Sequence, residues 1–310
     1  MDCDVIGLGL RCLDIVVQVS ALPRWGHERE AQRIAVQGGG PAGTAAVAAS
    51  RLGVRSGYVG TVGSGPLGEL KRGTLADYGV DLRCLVRRDA PEQQVSLVFV
   101  SDAGGERTFM PARRLLEEPL KVEELDRAYL TAAEILIIDG FHPQAALAAA
   151  QWMRQAGKRV IMDLRKPDGP LPTEAPQLAR LSDYLIGGEG GLQALTGIAD
   201  AVQAGKKMLE QGVKVVVETR GERGCLTVTR EGYFFTEAFP VTVVNTTGAG
   251  DVFHGAYAAG LIEGRDLHST TRFASAAAAL TCTRMDGFER IPDRVAVERL
   301  LRQDEGKGED

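Results

Sequence analysis

The 310-residue sequence lacks the features that mark several classes of protein. Its formal net charge is −5, and without a basic surplus nothing favours binding to a nucleic-acid backbone. No run of eighteen apolar residues occurs, and the amino-terminal stretch combines acidic residues with only a short apolar run, so we expect neither a membrane span nor a signal peptide. Five scattered cysteines form no CxxC pair and no Cys/His cluster with metal-ligand spacing, which favours a reducing compartment and predicts a cytoplasmic protein.

What the sequence does contain is an alternation of two patterns. Short apolar runs that end in glycine or a polar turn predict buried strands, at residues 4–10, 135–140, 159–164, 183–188 and 213–221. Residues 143–157 and 198–212 repeat apolar side chains every three or four positions and end at glycine, which is typical of amphipathic helices. Strands that alternate with helices predict a mostly parallel sheet covered on both faces, the doubly wound α/β class.

Two segments interrupt this alternation, residues 13–40 and 93–111. The second has a hairpin pattern, two β-rich runs around the sequence DAGG. We expect one domain over residues 1–310, with a small sheet from about residues 13–37 and 93–114 inserted at its edge and able to act as a lid. An exposed sheet edge can pair with a second copy, so a homodimer would form through this lid.

The stretch NTTGAGDVFHG (residues 245–255) places small residues ahead of one acidic residue. If a helix begins at about Asp251, the amides of Gly248, Ala249 and Gly250 point, with the positive end of the helix dipole, at one place that suits an anion. A carboxylate beside an anion hole suits phosphoryl transfer, because it can orient the attacking hydroxyl and accept its proton. The helix dipole should keep Asp251 ionised and a weak base. The plain alternative is an aspartate that only caps a helix after a glycine turn.

The sequence lacks the other common nucleotide-binding motifs. Residues 7–12 lack the third glycine and the acidic residue of a dinucleotide-binding fingerprint, and no GxxxxGK[ST] loop occurs. The guanidinium groups of three arginines are either surface charges or ligands for a carboxylate, sulfonate or phosphate on a substrate. These arginines are Arg107, Arg113 and Arg165.

Histidines and cysteines near the predicted site have more ordinary interpretations. We expect His254 to pack against a neighbouring element, although histidine also suits acid–base chemistry. For His27 and His142, a surface loop and a substrate contact both stay open. Cys225 and Cys282 lie in apolar runs and are expected to be buried structural thiols.

The stretch at residues 245–255 is similar to the DTTGAGDxFxxG signature of the ribokinase-like sugar kinases, also called the phosphofructokinase B family. GGGPAGTAAVAASRLG (38–53) resembles that family's first signature, a glycine loop lining the sugar pocket, and TRGERGC (219–225) is similar to its ATP-contacting TxGxxG stretch. The lid hairpin matches GGERTF (104–109), and the closing helix beside the adenine resembles FASAAAALTCTRMDG (273–287). The resemblance spans nearly the whole chain, in family order.

The resemblance implies an ATP-dependent sugar kinase with the ribokinase-like three-layer αβα fold. In such a kinase Asp251 is the catalytic base, and the amides of Gly248, Ala249 and Gly250 form the anion hole for the γ-phosphate. Sugar hydroxyls would be bound by Asp14, Gly38, Gly39, Gly40 and Gly43. ATP would lie along the loops that contain Thr219, Gly221, Gly224, Thr246 and Thr247.

The chain departs from the family pattern at several positions. Gly43 stands where the first signature usually has asparagine, which removes a side chain that would bind sugar hydroxyls. Asn245 replaces the aspartate that opens the second signature, where some members build a monovalent-cation site. The NxxE motif, which helps to organise magnesium and phosphate, falls on Gly188 and Gly191, so Glu189 or water would hold Mg²⁺ together with the ATP phosphates.

The acceptor is expected to be a small sugar or sugar acid that reacts through a primary hydroxyl. Fructose, ribose and 2-keto-3-deoxygluconate all stay open, and a nucleoside kinase of the same fold is a poorer fit. The alternative from another class is a sugar or nucleotide sensor that binds without efficient turnover because the NxxE side chains are gone. The retained Asp251 favours the kinase, since a binding protein has no need for a base.

Overall fold

Strands and helices alternate along most of the chain, as the sequence patterns predict. The computed structural model describes residues 2–102, 106–112, 118–165, 171–285 and 290–305. The strands in these ranges are β1 (Val5–Leu8), β2 (Cys12–Val19), β3 (Arg33–Gly39), β4 (Ser56–Val59), β5 (Thr61–Ser64), β6 (Val86–Pro91), β7 (Val95–Ser101), β8 (Arg107–Pro111), β9 (Ile135–Ile138), β10 (Arg159–Leu164), β11 (Tyr184–Gly188), β12 (Val215–Thr219), β13 (Cys225–Thr229) and β14 (Gly232–Thr236). The α-helices are α1 (Pro41–Arg51), α2 (Gly65–Ala76), α3 (Arg127–Ala132), α4 (Pro143–Gln155), α5 (Ala175–Leu181), α6 (Gly191–Thr196), α7 (Ala201–Glu210), α8 (Ala249–Ile262), α9 (Leu267–Cys282) and α10 (Arg294–Glu305).

The large sheet has eight strands in the order β14-β13-β12-β11-β10-β9-β1-β4. Its strands from β12 to β4 run parallel, whereas β13 and β14 extend it as antiparallel strands. The five strands predicted from apolar runs are β1, β9, β10, β11 and β12, so the mostly parallel α/β sheet is confirmed. Strands β4, β13 and β14 were not predicted.

Strand β9 shows why these runs are apolar at every position. Ile135 and Ile137 point into a core formed with α1, α8, α9 and α10, whereas Leu136 and Ile138 point into a second core formed with α3, α4, α5 and α7. Because successive side chains in a strand face opposite ways, a sheet covered on both sides needs apolar residues throughout.

The second sheet contains four strands in the order β3-β2-β7-β8 and is built from the two segments that interrupt the alternation. Val16, Val98 and Val100 on its inner face pack with Met285. On its outer face, Ile34, Val36 and Met110 are exposed. Residues 103–105 in the predicted hairpin and residues 113–114 at the end of the expected lid lie outside the described residues. Its action as a lid stays a prediction.

A two-stranded parallel sheet, β5 with β6, connects the two larger sheets along the chain. The cysteines are all unpaired thiols. Among the described helices, none combines the length and the apolar character that crossing a lipid bilayer requires.

Candidate active site

The glycine-rich stretch at residues 245–255 forms the start of α8. The helix begins at Ala249, two residues before the expected Asp251, because Gly248 adopts a left-handed conformation (φ 76°) as its N-cap. Asn245 shapes the preceding turn: its Oδ1 accepts a hydrogen bond from the amide of Thr247 at 2.9 Å, and its Nδ2 donates to the carbonyl of Met285 at 2.6 Å. Asp251 therefore lies in the first turn of the helix.

Two of the three backbone amides expected to form the anion hole are available to a ligand. Among the described residues, no group accepts a hydrogen bond from the amide of Gly248 or Gly250, whereas the amide of Ala249 donates to Thr246 O at 3.3 Å. Free amides and the positive end of the helix dipole together favour an anion. The expected anion hole thus has two free amides, with that of Ala249 already engaged.

A cavity on one side of the helix start, called the polar cavity here, collects charged residues from both ends of the chain. Asp14, Gly38 and Gly39 lie in it together with Gly248 and Asp251. The complete lining is Arg11, Asp14, Gln37, Gly38, Gly39, Thr44, Thr247, Gly248, Asp251, Val252, Arg290 and Ile291.

The side chain of Arg11 explains two of the glycines in the first signature. A Cβ at Gly38 would lie 1.8 Å from Nη2 of Arg11, and a Cβ at Gly43 would lie 2.5 Å from its Cδ. Gly43, expected to bind substrate, is therefore covered by Arg11 and does not line the polar cavity. Gly40 does not line it either, because it is the N-cap of α1, with φ 87° and no room for a side chain beside Leu10.

The carboxylate of Asp251 lies in a desolvated, negatively charged setting. Although part of the residue faces the polar cavity, the surrounding protein excludes most water from the carboxylate, and this burial, together with the nearby Asp163, raises its pKa to about 6. The expectation that the helix dipole keeps Asp251 a weak base is therefore wrong, since burial outweighs the dipole. Burial also raises the pKa of Asp14, whose Oδ1 accepts a hydrogen bond from the Cys12 thiol at 3.3 Å.

A second cavity, called the apolar cavity here, lies on the other side of the helix start and has a volume of about 500 Å³. Thr219, Gly221, Gly224 and Thr246 lie in its wall, as expected for one shared site, whereas Thr247 faces the polar cavity instead. Small and apolar residues complete it, among them Cys225, Phe239, Pro240, Val241, Val243, Phe253, Ser275, Ala278, Ala279 and Cys282. This size and character suit a small-molecule ligand with a flat apolar part.

The two cavities meet at the start of α8. Gly248 and Asp251 line the polar cavity, and the intervening Ala249 and Gly250 line the apolar cavity. A ligand in the polar cavity can therefore approach the free amide of Gly248, and a ligand in the apolar cavity can approach that of Gly250. Such an arrangement permits transfer of an anionic group from one ligand to the other.

Comparison with known proteins agrees with this geometry. A family model described as pfkB family carbohydrate kinase matches residues 8–294. The chain belongs to the pfkB family of carbohydrate kinases. The fold class and the resemblance inferred from the signatures are thereby confirmed, and the protein is a phosphotransferase of the carbohydrate kinase type.

Individual pfkB relatives span almost the whole chain. A ribokinase from Haemophilus influenzae is 26% identical over 298 residues, covering 93% of this chain and 94% of its own length. A 5-dehydro-2-deoxygluconokinase from Shouchella clausii is 25% identical over 317 residues, covering 97% and 96%. The structure of Arabidopsis thaliana ribokinase complexed with ribose and ATP superposes with a TM-score of 0.82 at 26% identity, covering 97% of this chain and 99% of that one.

The NxxE region of this pfkB kinase offers little to a metal ion. Gly188 and Gly191 have no side chains, and the exposed Glu189 forms an ion pair with Arg223 at 2.5 Å. Within the described ranges, no group of His, Cys, Asp or Glu side chains has the geometry to hold a metal ion.

Sequence reasoning missed three residues that shape the pfkB site. Arg11 and Arg290 line the polar cavity, and nothing in their local sequence distinguishes them from surface arginines. Asp139, at the end of β9, accepts hydrogen bonds from the amides of Leu10 at 2.7 Å and Ala42 at 3.2 Å, so it ties the loop that carries Arg11 to the start of α1. Burial raises the pKa of Asp139 to about 7.

The histidine predictions have different outcomes. His254 packs as expected, with Nδ1 2.6 Å from the carbonyl oxygen of Gly250 and Nε2 3.2 Å from that of Ile186. His142 is buried and accepts a hydrogen bond from the amide of Leu120 at 3.2 Å, so a surface position for it is wrong. His27 is exposed.

The predictions for the three arginines and the two cysteines also have different outcomes. Nη1 of Arg107 donates to the hydroxyl of Thr246, and the guanidinium of Arg165 stacks on the ring of Phe141 at 4.5 Å. Arg113 lies outside the described residues. Cys225 is buried, as expected, whereas Cys282 is partly exposed in the wall of the apolar cavity, so its prediction as a buried thiol is wrong.

Proposed function

We propose that the chain is an ATP-dependent kinase that transfers the γ-phosphate of ATP to a primary hydroxyl of a small sugar or sugar acid. The observation that carries the proposal is the pair of cavities that meet at the start of α8, with the free amide of Gly250 on the apolar side and that of Gly248, together with Asp251, on the polar side. Family membership supports the same reaction class.

ATP is assigned to the apolar cavity. Its adenine would lie among the small side chains of Ala278 and Ala279, and its phosphates would pass Thr246 to reach the amides of Gly248 and Gly250. The Arabidopsis ribokinase structure, which is complexed with ribose and ATP, supports ATP as the nucleotide. Magnesium bound to the ATP phosphates would supply charge neutralisation during transfer.

The acceptor is assigned to the polar cavity. Its reacting hydroxyl would lie against Asp251, and Asp14 would accept hydrogen bonds from its other hydroxyls. The hydroxyl proton passes to the Asp251 carboxylate while the oxygen bonds to the γ-phosphorus, and the bond from that phosphorus to the bridging oxygen of ADP breaks. The raised pKa of Asp251 suits this role, because a carboxylate with a pKa of about 6 is a stronger base than an ordinary aspartate and is still ionised at pH 7.

The lining of the polar cavity favours a sugar over a nucleoside. None of the described residues that line it is aromatic, so a nucleobase would find no ring to stack on. The buried Asp14 and Thr247 instead provide hydrogen-bond partners for hydroxyl groups.

The proposal is tested by ADP release from Mg-ATP with a panel of sugars, sugar acids and nucleosides. Wild-type protein is compared with Asp251→Asn and with Ala279→Trp, which would fill the adenine region of the apolar cavity. Turnover of one acceptor that both variants abolish supports the proposal. Sugar binding by calorimetry without any phosphate transfer would instead support the sensor alternative.

We also propose that the protein forms a homodimer through the small sheet. The outer face of that sheet exposes Ile34 and Val36 on β3 and Met110 on β8, its two edge strands, and exposed apolar faces of this kind are sites of association. Two copies related by a two-fold axis could cover each other's outer sheet faces.

A further inference from the structure

Two guanidinium groups are buried in the wall of the polar cavity. Arg11 is 1% exposed and Arg290 is 5% exposed. Arginine is almost never buried to this extent unless its charge is paired. The surroundings of each group therefore need an explanation.

Arg11 is hydrogen-bonded only to neutral oxygens in the contacts that the structure shows. Nε donates to Thr74 Oγ1 at 3.1 Å, Nη1 to Thr44 Oγ1 at 3.3 Å and Nη2 to the carbonyl of Thr74 at 2.7 Å. These contacts fix the orientation of the side chain without neutralising its charge. Guanidinium nitrogens are donors only, and their strongest partners are anions.

The guanidinium of Arg290 has an unused hydrogen-bond donor, unlike the three donor nitrogens of Arg11. Its Nη1 has no hydrogen-bond partner among the described residues. Its Nη2 lies beside Gly248, 3.3 Å from the place that a Cβ at that position would take. The group is thus held at the cavity wall with donor capacity to spare.

The side chain of Arg11 fills the space beside two glycines of the first signature. Both Gly38 and Gly43 would overlap it if they carried a Cβ. The aliphatic stem of Arg11 therefore occupies the place where the resemblance leads one to expect an asparagine side chain at position 43, and its guanidinium lies beside Gly38. This wall therefore carries two guanidinium groups beside the carboxylates of Asp14 and Asp251.

The two carboxylates in the polar cavity already have roles in the proposed reaction. Asp251 takes the proton of the reacting hydroxyl, and Asp14 binds further hydroxyls. Neither forms an ion pair within 4 Å with Arg11 or Arg290 among the described residues, although both carboxylates act electrostatically on the two guanidinium groups from a longer distance. The two cations are thus left for a group on the acceptor that is not a hydroxyl.

We propose that the acceptor carries an anionic substituent, a carboxylate, sulfonate or phosphate, which Arg11 and Arg290 bind in the polar cavity. This inference rests on the proposed function for the identity of the polar cavity as the acceptor site. It narrows the substrate class from small sugars in general to sugar acids, sulfosugars or sugar phosphates.

The test compares neutral and anionic acceptors by two independent readouts. Ribose, fructose and glucose form the neutral set, and gluconate, 2-keto-3-deoxygluconate, 6-deoxy-6-sulfofructose and fructose 6-phosphate form the anionic set. Binding is measured by calorimetry without nucleotide, and kcat/KM by ADP release from Mg-ATP. The three anion types within the second set identify which group the site prefers.

Arginine variants connect the preference to the two residues. Arg290→Gln should weaken binding of the preferred anionic acceptor by at least about tenfold, because hydrogen bonds to charged groups contribute that much. Neutral sugars should change little. Arg11→Lys, which keeps the charge but not the fork, is the second variant, and the exposed Arg127→Gln on α3 is the matched control.

The outcomes separate this inference from the kinase proposal. Turnover of a neutral sugar as efficient as that of any anionic one overturns the inference and leaves the kinase intact. Arginine-dependent binding of an anion without ADP release supports the inference and overturns the kinase. A loss in Arg290→Gln that appears only in kcat, equally for all acceptors, assigns Arg290 to the moving phosphoryl group and overturns its role here. Absence of any binding counts against both.

Discussion

Gly255 on α8 lies directly against the backbone of Ala45 on α1. A Cβ at position 255 would be 2.2 Å from the carbonyl oxygen of Ala45 and 2.7 Å from the Cβ of Ala48, so only glycine permits this contact. Both helices begin near the polar cavity, with Gly40 and Gly248 as their N-caps. Their close packing therefore sets the distance between the first glycine loop and the anion site.

Replacement of Gly255 by alanine should destabilise the protein by about 1–3 kcal/mol, because overpacking forces the helices apart. The control is Gly73→Ala on α2, where the nearest atom to a new Cβ, Oδ2 of Asp77, lies 3.9 Å away. That change should stabilise the protein by about 0.5–1 kcal/mol through helix propensity. Urea unfolding of both variants measures the difference, and equal stabilities would contradict the packing argument.

Asp251→Asn should lower kcat by about 10²- to 10⁴-fold while ATP still binds, because a general base contributes on this scale. ADP release at saturating substrate and calorimetry with ATP give the two quantities. Asp266→Asn is the control, since Asp266 only caps α9 through Ser269 and asparagine caps equally well. Unchanged turnover in Asp251→Asn would exclude it as the base.

The acid limb of the pH profile should report Asp251. Its pKa is raised to about 6, so below this pH the carboxyl is protonated and cannot accept the hydroxyl proton. We expect kcat/KM to rise with pH through about 6 and then to level off. An ordinary or dipole-lowered aspartate would leave the profile flat in this range.

The neighbouring Asp163 provides a second check on the same limb. Its negative charge is one cause of the raised pKa of Asp251, second to burial. Asp163→Asn should therefore move the midpoint to lower pH. The melting temperature, followed over the same pH range, separates loss of catalysis from unfolding, and an unmoved midpoint would contradict the electrostatic cause.

Gly248 and Gly264 allow backbone strain to be separated from function. Their φ angles are 76° and 74°, so alanine at either position should cost about 1–2 kcal/mol of stability. Nothing lies within 4 Å of a Cβ at Gly264, whereas one at Gly248 would intrude between Asp251 and Arg290. We expect similar losses of melting temperature but a loss of phosphate transfer only in Gly248→Ala. Equal phosphate-transfer activities of the two variants would show that Gly248 takes no part in the site.

The proposed dimer is tested on the outer face of the small sheet. Ile34 is 64% exposed on β3, and Ile34→Glu should produce a monomer by light scattering, because a buried glutamate at a dimer interface is strongly unfavourable. Val295→Glu is the control, since Val295 is 62% exposed on α10, away from that sheet. A wild-type protein that is already monomeric would contradict the proposal.

The sequence by itself determined the α/β alternation and the chemistry of the stretch at residues 245–255. Strands such as β9 are apolar at every position because both faces are covered, and that pattern is local enough to be read directly. The turn before Asp251 could likewise be predicted from its glycines, since a tight turn into a helix requires them. Helix start and pKa were predicted less well, because the left-handed Gly248 and the burial of Asp251 depend on neighbours.

Only the tertiary structure decided which residues complete the site. Arg11 and Arg290 come from opposite ends of the chain and look like surface arginines until α1 and α8 bring them into one cavity. Gly43 reads as a lost side chain in the sequence, yet in the fold it makes room for Arg11. Burial, which sets the charge and basicity of such groups, arises from contacts between distant segments and leaves no local pattern.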